Sequence, residues 1–320
     1  MKTLLKVLRL VALAAVPLTA ATGHAQNWPT KPVRLVAAFP PGTPGDVIAR
    51  LIQPTLQAVW KQPVIVDNKS GAAGNIAASD VAHAKDEHTL LVGPDTILTI
   101  NPHLYKKLGF DLRQALKPIT YFASFNQVLV CHPATGVTTL AKFSQLPASS
   151  LYASGGPGTP SHMTMELLLS ATGTKQVHVP YKGPGPAAQD VLAGHVPCGF
   201  IVSPVVLPHL QTHRLVALAV SSRERSVQLP SVPTVSESGH AGFDATFFET
   251  LMAPASLPAA LTEKIQRDIH AALSTPAMQA RLAEMDMRVV AGTPQESAQR
   301  SREDFAKWGK IAQQTQLQLD

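Results

Sequence analysis

The chain of 320 residues is predicted to fold as a two-lobed α/β protein with a ligand cleft between the lobes, and three observations predict it. Residues 34–52, RLVAAFPPGTPGDVIARLI, read as a strand, a tight loop and a helix: 35–39 are apolar, 40–45 break the run, and apolar residues resume at 47, 48, 51 and 52. The same plan recurs from residue 151, after a strand-like passage over 119–131 with a polar break at Ser124-Phe125-Asn126. A proline-bearing segment, 228–242, then crosses back towards closing helices. A chain that builds one α/β lobe, crosses, builds a second and returns makes a clamp with its site in the cleft.

Residues 1–25 read as an export signal. Lys2, Lys6 and Arg9 form a basic end, 7–21 are apolar apart from Arg9 and Thr19, and Gly23-His24-Ala25 place small residues at a cleavage site near Ala25. No cysteine follows the apolar segment, so a lipid anchor is not expected, and no later stretch approaches the roughly 20 apolar residues of a membrane span. Removing 25 of 320 residues leaves 295, enough for two domains of ordinary size. The signal holds three of the 27 Lys and Arg and none of the 21 acids, so the formal charge falls from +6 to +3. So weak an excess, without basic runs or interleaved aromatics, gives no support to a nucleic-acid partner.

Within the first unit the loop at 40–45 leaves the first amides of its helix without carbonyl partners, a place for an anion or an acceptor, with Asp46 as a cap or first-turn acid. The pattern is neither GxxxxGK[ST] nor GxGxxG, so no nucleotide is implied; a plain turn needs the same residues. Pro54 falls inside the expected helix, where a kink is expected. Strand 63–66, a glycine turn at 70–74 and a helix over 75–84 follow, then strand 89–93 and the loop Pro94-Asp95-Thr96. Successive βαβ units of this length predict mainly parallel strands, with ligands beyond their carboxyl ends.

The second set comprises strand 151–153, the loop 154–161 and a helix to 171, then strand 176–179, the loop 180–186 and a helix to 193. A further strand and helix precede strand 215–220; strand 243–253 and helices over 258–273, 276–285 and 295–314 complete the chain. The two cysteines, Cys131 and Cys198, both sit in strand-like stretches, as buried thiols or as a bridge. Neither a cofactor nor a metal is expected: the 12 His are scattered, and His209 and His213, although four apart, lack a neighbouring acid or Cys to complete a ligand set.

Taken together these residues resemble the periplasmic receptors of tripartite tricarboxylate transporters, the Bug family. The likeness runs from WPTKPVRLV at 28–36 to AKWGK at 306–310, and its most specific pieces are NKSGAAGNI at 68–76, TINPHLY at 99–105, YASGGPGTPSHM at 152–163, VHVPYKG at 177–183, LPSVPTVSESG at 229–239 and GFDATFFETLMAP at 242–254. The resemblance implies a type II periplasmic binding fold, with lobe 1 over 26–123 and 225–320 and lobe 2 over 124–224. It implies a periplasmic monomer that closes on a small organic acid and delivers it to the permease subunits. Implied ligand contacts are Phe39, Pro41, Gly42, Thr43, Gly45 and Asp46 in the first loop, Ser154, Gly158, Thr159 and His162 in the facing loop, and Tyr181, Lys182 and Gly183; Asp95 and Thr96 after the third strand, Ser203 and Phe248 are further candidate contacts. The Tyr181 hydroxyl is expected to project towards the cleft.

Four departures from the family pattern bear on the ligand. Gly42-Thr43-Pro44 replaces a paired glycine, Ile201-Val202-Ser203 lacks an acid that many members carry, Asp95 follows Pro94 where a small neutral residue is common, and Glu249 stands where a small residue usually follows the aromatic pair. If Asp95 or Glu249 faces the cleft, a simple anion is repelled and a ligand with an amino or amide group is favoured; otherwise both point outward or cap helices. Two other outputs remain beside transport: a receptor that reports its ligand to a sensor kinase, and a secreted hydrolase built on Ser154, Ser161, His162 and Asp190. The hydrolase lacks a GxSxG elbow, an HExxH pair and a clear orienting acid.

Overall fold

The structure, a computed structural model, describes residues 28–315 and 317–319; the export signal expected over 1–25 lies outside the described residues. The first apolar run is strand β1 (Val33–Ala37), and its loop delivers the chain into helix α1 (Pro44–Trp60). Ile48, Ile52, Leu56 and Trp60 recur every fourth residue and bury one face of α1. Pro54 lies on the exposed face and the helix continues past it. Strands β2 (Val64–Asn68) and β3 (Thr89–Pro94) flank β1 in parallel, with α2 (Asn75–Ala82) between them in sequence. Three short helices, α3 (Thr96–Thr99), α4 (Asn101–Leu104) and α5 (Leu112–Ala115), lead to β4 (Leu116–Phe125).

Asn126 alone separates β4 from β5 (Gln127–Cys131), yet the two strands belong to different sheets. The second sheet then grows through α6 (Leu140–Phe143), β6 (Leu151–Ser154), α7 (Pro160–Thr172), β7 (Val177–Pro180), α8 (Pro184–Leu192), β8 (Cys198–Val202), α9 (Ser203–Gln211) and β9 (Val216–Val220). The chain returns to the first sheet as β10 (Phe247–Pro254), followed by α10 (Ala259–Leu273), α11 (Pro276–Glu284), β11 (Met287–Val289) and α12 (Pro294–Thr315). Trp308 of α12 stacks on Phe247 of β10 with ring centroids 5.3 Å apart, fastening the last helix to the first sheet.

The sheet orders are β11-β4-β10-β3-β1-β2 and β7-β6-β8-β5-β9. In the first, β1 to β4 run one way and β10 and β11 the other; in the second, β6 to β9 run one way and β5 the other. Most strands of each sheet thus point one way, as expected, but β5 and β10, the first strands after each crossing, are reversed, so antiparallel pairs stand beside the parallel ones. Reversal has a consequence for the site. The parallel strands end at the cleft, so β5 and β10 begin there and bring Gln127 and Glu249 to the same place as the loops. The edge strand β11 has no signature in the sequence, because three residues are too few to show a period of two.

Cys131 and Cys198 are bonded to each other. They are directly opposed residues of the antiparallel pair β5 and β8, with Cα atoms 4.0 Å apart. Of the two states that the sequence leaves open, register selects the bridge.

Candidate functional site

Two turns of the same construction face each other across the cleft. Pro41-Gly42-Thr43-Pro44 precedes α1 and Pro157-Gly158-Thr159-Pro160 precedes α7. Each glycine takes a positive φ, 84° at Gly42 and 75° at Gly158, which a side chain would resist. Each threonine turns its hydroxyl backwards, Thr43 to the Pro40 carbonyl at 2.8 Å and Thr159 to the Gly156 carbonyl at 2.7 Å, so neither caps its helix. Each proline takes the first helical turn, where a missing N–H costs nothing. The residue four after each glycine accepts its amide: Asp46 Oδ2 from Gly42 at 2.9 Å, and His162 Nδ1 from Gly158 at 3.1 Å. That leaves the amides of residues 45 and 46 in one helix, and of 161 and 162 in the other, without acceptors in their own helices. The repeated PGTP tetrapeptide is the signal in the sequence that relates the two turns.

Asp46 is 3% exposed and also accepts from Asn68 Nδ2 and Arg50 Nε, both at 2.9 Å. Burial opposes its charge, but the hydrogen bonds from Arg50, Gly42 and Asn68 outweigh it and hold the carboxyl below the usual range. His162 has a more distant acidic partner, Glu166 Oε1, 3.7 Å from its Nε2. The histidine is 2% exposed, and burial together with His178 pushes its pKa down to about 3. Its neutral ring stacks on His178 with centroids 4.0 Å apart, and His178, itself lowered to about 4 by burial, stacks on Tyr152 at 4.9 Å. His178 Nε2 lies 2.6 Å from Ser154 Oγ, which in turn accepts from the Gly156 amide at 3.0 Å. The facing loop is therefore held from beneath by two neutral imidazoles.

The cleft has two connected parts, sharing Phe39, Gly155 and Thr159. The inner chamber, of about 50 Å³, lies between Thr43, Pro44 and Glu249 on one side and Gln127, Thr159 and Ser161 on the other. Pro184 at the start of α8 also lines it, so three helices begin at its wall. At roughly 10–15 Å³ for each water centre, it admits one end group of a solute and not a whole molecule. The outer chamber, of about 400 Å³, runs past Pro40, Ala73, Tyr105, Gly156 and Tyr181 to Lys182, among the described residues the one basic side chain lining either part. Tyr105 Oη donates to the Pro157 carbonyl at 3.3 Å across its edge.

Glu249 and Asp95 have different situations. Glu249 is 4% exposed and lines the inner chamber, with Oε2 unpartnered. A Cβ on Gly45 would come within 2.6 Å of that oxygen, so glycine is what lets α1 approach it. Burial first, and Asp95 second, drive its pKa well up. Asp95 lies behind, accepting the Phe248 amide at 3.2 Å through Oδ1, and burial and Asp304 raise it well above the usual range. Neither acid points outward or serves as a helix cap through its side chain.

The family described as the tripartite tricarboxylate transporter family receptor matches residues 48–317. The chain belongs to this family. Protein BugT of Bordetella pertussis is 31% identical over 306 residues, covering 94% of each chain. Among solved structures, Rhodopseudomonas palustris Rpa4515 with adipate gives a TM-score of 0.86 at 29% identity, over 91% of this chain and 99% of that one. MatC from the same organism with bound malate gives 0.83 at 27%, over 89% and 99%, and the periplasmic binding protein BugD gives 0.84 at 25%, over 91% and 99%. The receptor accordingly has the type II periplasmic binding fold and is a periplasmic solute-binding protein, not an enzyme.

In the receptor, Phe39, Thr43 and Thr159 line the inner chamber, and Phe39, Thr159, Tyr181, Lys182 and Gly183 line the outer one. Gly45 and Asp46 are buried in the first turn of α1, whereas Pro41 and Gly42 are exposed on the loop. Gly158 and His162 build the facing turn, and Ser154 is spent on His178 and the Gly156 amide. Asp95 and Thr96 are buried behind the chamber. Ser203 is bound to Asn126 through its amide at 3.1 Å. The Tyr181 hydroxyl donates to Asp190 Oδ2 at 2.5 Å instead of projecting into the cleft. Alternation along β10 turns Phe248 against Arg300, 4.4 Å from its ring, and gives the chamber Glu249. The residues of the hydrolase reading are not assembled, since Ser154 meets His178 and Asp190 meets Tyr181 and His195. Gln127, Ser161, Pro44 and Pro184 were not among the expected contacts.

Proposed function

We propose that the receptor binds a small organic acid between its lobes and delivers it to the permease subunits of a tripartite tricarboxylate transporter, acting as a periplasmic monomer released from its signal near Ala25. The observation that carries this reading is the pair of PGTP turns whose helices begin at opposite walls of one chamber. Helix N-termini hold anions through free amides and the positive end of the dipole, without a dedicated arginine. The solved relatives with adipate and with malate support an acid as ligand. We take the lobes as 26–123 with 225–320, and 124–224. Single-residue separation of β4 from β5 at Asn126 supports a hinge there.

The test is thermal unfolding of the refolded, solute-free protein against a panel of organic acids. A ligand at 100 times its Kd adds about 2.7 kcal/mol, a shift of a few degrees in a chain of this size. Uptake of the responding acid by cells carrying the permease should then require the receptor. Failure of every acid to shift unfolding refutes the binding reading; uptake that proceeds equally without the receptor refutes delivery.

A further inference from the structure

The inner chamber contains two buried acceptor atoms with nothing to accept. Glu249 Oε2 and Gln127 Oε1 are both unpartnered, on side chains that are 4% and 2% exposed, and both side chains line the chamber. They come from the two reversed strands, one in each sheet, and meet at one chamber. A buried polar atom left unpaired has given up its hydrogen bonds to water without replacement. On the Glu249 side the carboxyl lies against the first turn of α1, with Oε2 within 2.6 Å of where a Cβ on Gly45 would stand, so the receptor's own acid occupies the start of that helix. On the other side the start of α7 stays open, with the Ser161 and His162 amides free of helical acceptors.

We infer that Glu249 sets the specificity of the receptor, and that its ligand is an organic acid that also carries an N–H donor, an ammonium or an amide, which is placed against Glu249 and Gln127 while its carboxylate takes the α7 terminus. This rests on the organic-acid reading above and narrows it. A plain dicarboxylate brings only acceptors to the chamber. In its protonated form, which burial and Asp95 favour, the Glu249 carboxyl has one O–H to offer. One ligand oxygen could use it, but Gln127 Oε1 and the remaining Glu249 oxygen would still face acceptors. An amide matches a neutral carboxyl donor for acceptor, and an ammonium supplies the positive charge that lets the carboxyl ionise.

The experiment is calorimetric titration of the refolded, solute-free protein with three matched sets: dicarboxylates (succinate, glutarate), their monoamides, and the amino acids aspartate and glutamate. Wild type should prefer a nitrogen-bearing member over its matched dicarboxylate by at least tenfold, and Glu249→Gly should erase that preference. Glu249→Gln separates the two sources of the donor: an ammonium ligand loses at least tenfold, whereas an amide ligand is kept within about threefold. Equal or tighter binding of the dicarboxylates by wild type overturns the inference while leaving the acid-receptor reading intact. An unchanged ratio in a folded Glu249→Gly protein overturns it too. If neither protein binds any member of the three sets, this inference falls, and the wider panel of acids above decides the acid-receptor reading.

Discussion

His162 should make the receptor lose stability in mild acid, and the amount follows from its site. The ring accepts the Gly158 amide through Nδ1 at 3.1 Å, so it must stay neutral at that nitrogen, and burial with His178 lowers its pKa to about 3. In the unfolded chain a histidine titrates near 6.5. Because the folded value is the lower one, the contribution is complete above pH of about 6.5 and is lost as pH falls from there towards about 3. At pH 5 the gap amounts to about 1.5 pH units, or about 2 kcal/mol from His162 alone. His178, lowered to about 4 but only half-buried, adds a smaller amount after solvent screening. Asp95 and Glu249 act in the opposite direction, since their raised values favour the folded state as pH falls. The comparison must therefore be between proteins. Urea unfolding of wild type and His162→Leu at pH 7.5 and pH 5 should show a pH-dependent loss about 2 kcal/mol smaller in the variant, whatever its baseline stability. Losses that agree within about 0.5 kcal/mol would refute the assignment of a neutral, amide-accepting His162.

Two further outcomes follow from the site and its support. The bridge between Cys131 and Cys198 closes a separation of 67 residues, for which chain entropy gives about 4 kcal/mol; the double Ala variant should lose between about 2 and 4 kcal/mol in urea unfolding, and a loss below about 1 would mean that the bridge contributes little. Asp46→Ala removes the acceptor shared by Gly42, Arg50 and Asn68, so it should cost about 2–4 kcal/mol and weaken ligand binding at least tenfold by releasing the first turn; unchanged affinity in a folded variant would detach that turn from the site.

The succession of elements was legible because each is specified by neighbours in sequence. Periods of two and of about four in apolar residues mark strands and helices, and Pro and Gly mark the turns at 40–45 and 154–161. The doubled plan, the helix ends facing a cleft and the family likeness all rest on such local signals. What a side chain faces is a different kind of fact. It was decided by strand direction, register and phase, which depend on residues distant in the chain. Reversal of β5 and β10 brings Gln127 and Glu249 to the cleft; register sets Cys131 opposite Cys198; alternation exchanges Phe248 for Glu249. Ser154 meets His178 and not His162 because β6 and β7 pair in parallel, with Tyr152 beside His178 and Ser154 beside Pro180. An acid at position 249 reads the same in the sequence whether it faces water or a chamber, and only the packing of α1 against β10, through the bare Cα of Gly45, makes it part of the site.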